Sequence, residues 1–217
     1  MIAGLAFAVS AFTRSHAHAL TRLATTELTF VRHGETVANA TSRYNTRTLN
    51  AFSKRGQAEV DLLPTRLAGH YDLILVSPSA RAINTILPYL RRTHQRATVW
   101  PLLYECCTQR RPTGAHPTSF KYGARFSIPA GDRDVLKILT GEDRLPAAPD
   151  YDSGLAQVAA AASEFRTRYM RGSVLLVGHS GQGGHMIHEL TGRWIKVDNA
   201  KPIRLTLRSS GRVQPQP

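Results

Sequence analysis

Two short, unbroken apolar runs, Leu73-Ile74-Leu75-Val76 and Val174-Leu175-Leu176-Val177, constrain this chain more than any other feature. A strand with one face in water alternates apolar and polar residues; one that is apolar at every position must be covered on both faces. Each run stops at a polar turn, Ser77-Pro78-Ser79 and Gly178-His179-Ser180-Gly181, that leads toward a helix. After the first turn Ile83, Ile86, Leu87 and Leu90 fall on one helical face. Glu27 to Arg32, rich in β-branched and aromatic residues, has the same design and ends in His33-Gly34-Glu35-Thr36. Thr98 to Trp100 and Ile203 to Leu207 read as further strands. Ser53 is placed to cap a helix running to about Leu67, and helical spacing recurs over Gly154 to Tyr169 and Gly183 to Leu190. Alternating strands and helices predict an α/β fold: a three-layer α/β/α sandwich around a mostly parallel sheet.

The 217 residues suit one domain over 21–217. Residues 1–20 contain a short apolar run, Ile2 to Phe12, followed by Ala17-His18-Ala19, the small-x-small pattern of a signal-peptidase site. This leader is expected to be a signal peptide that directs export, to the periplasm or outside the cell, or else a disordered leader on a cytoplasmic protein. No stretch reaches the roughly 20 apolar residues that span a bilayer. Residues 106–150 are dense in proline and glycine and read as an irregular inserted lid, with one helix around Asp134 to Leu139. The lid carries Arg110, Arg111, Lys121 and Arg125, with no acidic residue between Cys106 and Gly131.

Lysine and arginine number 28 against 15 acidic residues, a formal net charge of +13. Such a surplus favours anionic partners. Nucleic acid, an anionic membrane surface and a phosphorylated small molecule all qualify; the cations are spread along the chain rather than gathered in one run, which weakens the nucleic-acid reading. The two cysteines, Cys106 and Cys107, are adjacent, so they form no disulfide framework and read as small buried residues.

In an open α/β sheet, ligands bind beyond the carboxyl ends of the strands. The three strand ends would therefore bring Arg32, His33, Arg81 and His179 to one rim. That set suits a phosphoryl group: a guanidinium matches its oxygens with a planar fork, and a neutral imidazole is a competent nucleophile. Neighbouring arginines would lower an imidazole's pKa and keep it unprotonated.

These residues also carry a resemblance. Arg32-His33-Gly34-Glu35-Thr36 with Asn39 resembles the signature of the histidine phosphatase superfamily, the phosphoglycerate-mutase-like proteins. Four further segments match in the family's order: Phe52-Ser53-Lys54-Arg55-Gly56; Ser77-Pro78 with Arg81-Ala82 and Thr85; Leu103-Tyr104-Glu105; and Val177-Gly178-His179-Ser180. The resemblance covers about Leu28 to Leu207 and implies a phosphoglycerate-mutase-like fold. It further implies that His33 is the nucleophile, and that Arg32, Arg81 and His179, with Asn39, bind the phosphoryl group. Glu105 would be the proton donor, and neither cofactor nor metal is needed.

The chain departs from the family at two places. Cys106-Cys107-Thr108-Gln109 stands where mutases carry an Arg-Tyr-Gly type of sequence, which favours phosphomonoester hydrolysis over a phosphoglycerate-type mutase. Gly181-Gln182-Gly183-Gly184 is richer in glycine than the family's usual helix start and is expected to loosen the His179 turn. A non-catalytic, basic phospholigand-binding protein on the same fold is the alternative of a different class. His185 and His188, three apart beside Glu189, have metal-ligand spacing but no further ligand nearby, and read as a helix face.

Overall fold

Both apolar runs lie at the centre of a parallel sheet, as double-sided burial requires. The computed structural model describes residues 25–107 and 122–208. Six strands are β1 (Thr25–Arg32), β2 (Leu73–Val76), β3 (Ala97–Val99), β4 (Leu136–Ile138), β5 (Gly172–Gly178) and β6 (Ile203–Arg208), in the order β4-β3-β2-β5-β1-β6. All neighbours are parallel except β6, which runs antiparallel to β1. Six helices accompany them: α1 (Val37–Thr41), α2 (Thr46–Asn50), α3 (Lys54–Arg66), α4 (Ala80–Thr93), α5 (Tyr151–Glu164) and α6 (Ser180–Thr191).

The alternation of side chains along a strand builds two cores, one on each face of the sheet. Leu28, Phe30, Leu75, Val174 and Leu176 point to one face, where they meet Val158 and Ala162 of α5 and Met186, Ile187 and Leu190 of α6. Val31, Ile74, Val76, Leu175 and Val177 point to the other, against Leu63 of α3 and Ile86 and Leu90 of α4. The result is the expected three-layer sandwich.

The termini of several elements differ from the sequence reading for local reasons. Asp150 caps α5 three residues early, its carboxylate accepting from the Ser153 N–H at 2.8 Å. Helix α6 likewise begins at Ser180 rather than Gly183, with His179 as its first, half-helical residue. The expected helix at Asp134 to Leu139 is instead strand β4, pairing parallel to β3 over Leu136 to Ile138. Leu136 is buried and Lys137 exposed, so the period is two; the open edge of β3 offers backbone partners that an isolated helical turn lacks. Residues 122–150 are therefore not a lid alone, because they supply the sheet's edge strand and bury Ile128, Val135 and Leu145. The expected leader at 1–20 and the lid cations Arg110, Arg111 and Lys121 lie outside the described residues. Among the described residues, no helix is long and apolar enough to cross a membrane.

Two glycines allow close approaches that position the strand ends. A Cβ on Gly56 would lie 1.8 Å from the backbone oxygen of Glu35, so α3 can press its first turn against the 33–36 turn only through a glycine. Ser53 caps that helix, its hydroxyl accepting from the Gly56 N–H at 2.9 Å and donating to Glu35 at 2.7 Å. Gly56→Ala is expected to cost about 3 kcal/mol by overpacking. That should lower Tm by roughly 6–12 °C in a domain of this size, and thermal unfolding of the two proteins checks it. A Cβ on Gly183 would lie 2.1 Å from the Phe30 ring. The glycine-rich stretch therefore does not loosen the His179 turn: it lets α6 seat on an aromatic ring of β1.

Candidate active site

The sheet register brings the candidate residues together. Arg32 of β1 pairs with Gly178 of β5, and the His33 N–H continues the ladder to the Gly178 oxygen at 3.0 Å. Val76 of β2 pairs with Val177 of β5, and the Ser77 N–H bonds the Val177 oxygen at 2.9 Å. His33, His179 and Ser77 are thus the first residues past three adjacent parallel strands. The two imidazole rings sit edge to face with centroids 5.2 Å apart. Arg81, in the first turn of α4, reaches them, its Nη2 donating to His179 Nδ1 at 3.1 Å.

The hydrogen bonds fix both tautomers, because a carbonyl only accepts and a guanidinium only donates. His33 Nδ1 donates to the Gly34 oxygen at 2.8 Å, which leaves its Nε2 with the lone pair. His179 Nδ1 accepts from Arg81, so its Nε2 carries the hydrogen and donates to Ser77 Oγ at 2.8 Å. Burial first, and then the Arg81 charge, hold both imidazoles well below their usual pKa, so both are neutral near pH 7. Accordingly the 4.0 Å approach of His179 Nδ1 to Glu105 is not an ion pair.

Glu105 is 6% exposed. Its Oε1 accepts from the Gln182 N–H at 3.0 Å, and the backbone N–H of Cys106, the next residue, also favours its charged form. Burial nevertheless dominates and raises its pKa above the ordinary carboxyl range, against the opposing pull of those N–H groups, Arg81 and Arg32. Arg32 holds the Val197 oxygen through Nη1 at 3.2 Å, while its Nε is buried without a partner. A buried, unpartnered guanidinium N–H beside two neutral imidazoles is a donor suited to an anion.

Arg32, His33, Arg81, Glu105 and His179 therefore converge. Asn39 is placed differently: its side-chain oxygen accepts from the Thr36 N–H at 3.1 Å and from Thr36 Oγ1 at 3.0 Å, closing a cap on α1. In the structure its hydrogen bonds go to that cap, not to the imidazole cluster.

The chain's sequence matches the histidine phosphatase superfamily (branch 1) over residues 28–213. The chain belongs to that superfamily. Among curated proteins none matches it. Solved structures share its fold at low identity. A mycobacterial protein, hydrolase 1, is 19% identical with a TM-score of 0.59, over 88% of this chain and 96% of that one. The α-ribazole phosphatase of Shigella flexneri is 18% identical, TM-score 0.56, over 88% and 100%. A mycobacterial glucosyl-3-phosphoglycerate phosphatase, solved with VO3, is 19% identical, TM-score 0.53, over 82% and 92%.

In this member of the superfamily, several positioning residues escaped the sequence reading. Gln157 of α5 donates to the backbone oxygens of Leu102 and Tyr104 at 3.2 and 2.8 Å, and Gln182 of α6 donates to Leu102 at 3.1 Å. These two carboxamides brace the turn that carries Glu105. Asn199 donates to the His33 oxygen at 2.8 Å, and the Ala200 N–H bonds the Arg32 oxygen at 2.9 Å, extending β1 from a loop. Thr85 Oγ1 accepts from the Gly34 N–H at 3.0 Å, tying α4 to the His33 turn. Only Thr85 and Gln182 lie within segments singled out from sequence; Gln157 and Asn199 look there like ordinary surface amides.

A cleft of about 200 Å³ opens beside Arg81 and Ser79. Leu49, Tyr104, Phe126 and Leu145 line it, with Thr46 and Asn50 of α2. Among the described residues Arg81 is its one charged lining group. His185 and His188 instead pack against the exposed Trp194, with ring centroids at 4.9 and 4.3 Å. Among the described residues no group of three or more metal-ligating side chains converges.

Proposed function

We propose that the protein hydrolyses phosphomonoesters through a phosphohistidine on His33, without a metal. The observation that carries this reading is the fixed tautomer of His33: Nδ1 is spent on the Gly34 carbonyl, leaving an uncharged Nε2 lone pair among Arg32, Arg81 and His179. Nε2 attacks phosphorus as the bond to the leaving oxygen breaks, and Glu105 gives that oxygen its proton. The guanidiniums hold the phosphoryl oxygens and stabilise the charge spread over them in transfer. The Glu105 carboxylate then takes a proton from water, which attacks the phosphohistidine, releases phosphate and restores neutral His33. Membership of the histidine phosphatase superfamily supports the reading. So do the α-ribazole and glucosyl-3-phosphoglycerate phosphatases that share the fold. Apart from Arg81, the described walls of the cleft are uncharged, which favours a neutral, partly apolar leaving group.

The test is hydrolysis of p-nitrophenyl phosphate in EDTA, with radiolabelled substrate quenched during turnover. Activity should persist, and the label should map to His33 as an acid-labile, base-stable phosphoramidate. Loss of activity to EDTA, or label on another residue, sinks the mechanism. Tight binding of phosphorylated ligands with no release of phosphate would favour the non-catalytic alternative.

A further inference from the structure

We propose that Cys106 and Cys107 form a redox site, in which closure to a disulfide between neighbouring residues displaces Glu105. The consequence for activity rests on the phosphatase reading above; the modification itself does not.

Neighbouring side chains on an extended chain point to opposite sides. Here they do not. Cys107 has φ +59°, in the left-handed region that non-glycine residues seldom adopt, and this turn folds its side chain back onto its neighbour's. The two sulfurs lie 2.7 Å apart, with the Cys107 thiol donating to Cys106. Helix α5 is shaped around the pair: a Cβ on Gly154 would lie 2.7 Å from Cys107 Sγ and 3.1 Å from Cys106 Cβ. Cys106 is buried with its thiol against the Gly154 oxygen at 3.4 Å, whereas Cys107 is half-buried and the more accessible.

The chemistry that follows is thiol–disulfide exchange with a low-molecular-weight disulfide as oxidant. The Cys107 thiol loses its proton to solvent, and the thiolate attacks one sulfur of the oxidant, expelling a thiolate. The Cys106 thiol then attacks the Cys107 sulfur of the mixed disulfide; the second leaving thiolate takes its proton. Two protein thiols become one disulfide and the oxidant becomes two thiols. Cα atoms joined by a trans peptide are about 3.8 Å apart, below the roughly 4.4–6.8 Å of relaxed disulfides. The ring is therefore strained and readily reduced, which makes it a switch rather than a staple. Closing it must turn the peptide between the cysteines. Glu105 directly precedes the pair, and the Cys106 N–H that favours its charged carboxylate belongs to the moving backbone.

The chain has two cysteines in all, so any thiol lost belongs to this pair. The full protein is incubated with oxidised glutathione, freed of reagent, and assayed for thiols, mass and hydrolysis of an alkyl phosphate and of p-nitrophenyl phosphate. Both thiols should disappear together, with loss of two hydrogens, no glutathione adduct and no cross-linked dimer. Alkyl phosphate turnover should fall at least tenfold and p-nitrophenyl phosphate turnover much less, since a stabilised phenolate leaves without a proton donor. Dithiothreitol should restore both, and Cys107→Ala, checked for its melting temperature, should keep its alkyl phosphate activity in oxidant. Two surviving thiols, a persistent mixed disulfide or a cross-linked dimer overturns the site. An intact disulfide with equal effects on both substrates overturns its link to Glu105. If the untreated enzyme hydrolyses neither substrate, the phosphatase reading fails while the thiol count still decides the redox site.

Discussion

Replacing His33 with alanine should lower kcat/KM for any phosphomonoester on the order of 10⁴-fold or more, about 5.5 kcal/mol of transition-state stabilisation. The size follows from what the variant keeps. Arg32 and Arg81 still present donors to a phosphoryl group, so binding survives, but no other side chain can replace the Nε2 lone pair that the Gly34 carbonyl keeps unprotonated. KM should therefore change little while kcat collapses. Among the described residues the His33 side chain hydrogen-bonds only to its own neighbour's carbonyl, so the fold should tolerate its loss; Tm within a few degrees of wild type makes the kinetic result interpretable. A variant with more than about one-tenth of wild-type kcat would remove His33 from the chemistry. Inorganic phosphate or vanadate should inhibit wild type competitively and protect both proteins against thermal unfolding, since ligand binding to the folded state alone stabilises it.

The sheet was legible because burial on both faces leaves an unmistakable trace: Leu73 to Val76 and Val174 to Val177 are apolar at every position and became the two central strands. The site was legible for a related reason, since residues that follow parallel strands share one rim whatever the intervening sequence. Strand β4 was hidden because a five-residue stretch, Val135-Leu136-Lys137-Ile138-Leu139, fits a helical turn as well as a strand, and only the open edge of β3 decides. The cap that Asn39 closes was not legible, because its proximity to His33 in sequence says nothing of where its amide oxygen turns, and the start of α1 claimed that oxygen. The glycines at 181, 183 and 184 misled for the opposite reason: flexibility was the obvious property, whereas Gly183 is required by contact with Phe30, a residue about 150 positions away. The braces at Gln157 and Asn199 could not be read at all, because their partners are backbone oxygens supplied by folding.

Glu105→Gln is expected to give the second-largest loss, and its pattern is more diagnostic than its size. A general acid contributes roughly 10²- to 10⁴-fold, but only where the leaving oxygen needs a proton. Alkyl phosphates should lose activity across that range, and p-nitrophenyl phosphate far less. Glutamine keeps the shape and can still accept from the Gln182 N–H, so a uniform loss on both substrates would mean that Glu105 only supports the turn. The pH profile supplies an independent check. Burial raises the Glu105 pKa, so its acid form persists above the usual carboxyl range and is lost as pH rises through the raised value. Burial and Arg81 lower the His33 pKa, so its free lone pair persists below the usual histidine range and is lost as pH falls through the lowered value. Wild-type kcat/KM on an alkyl phosphate should therefore fall on both sides, the alkaline limb reporting Glu105 and the acid limb His33. In Glu105→Gln the alkaline limb should vanish while the acid limb stays. An alkaline limb unchanged in the variant would assign the proton to a group other than Glu105.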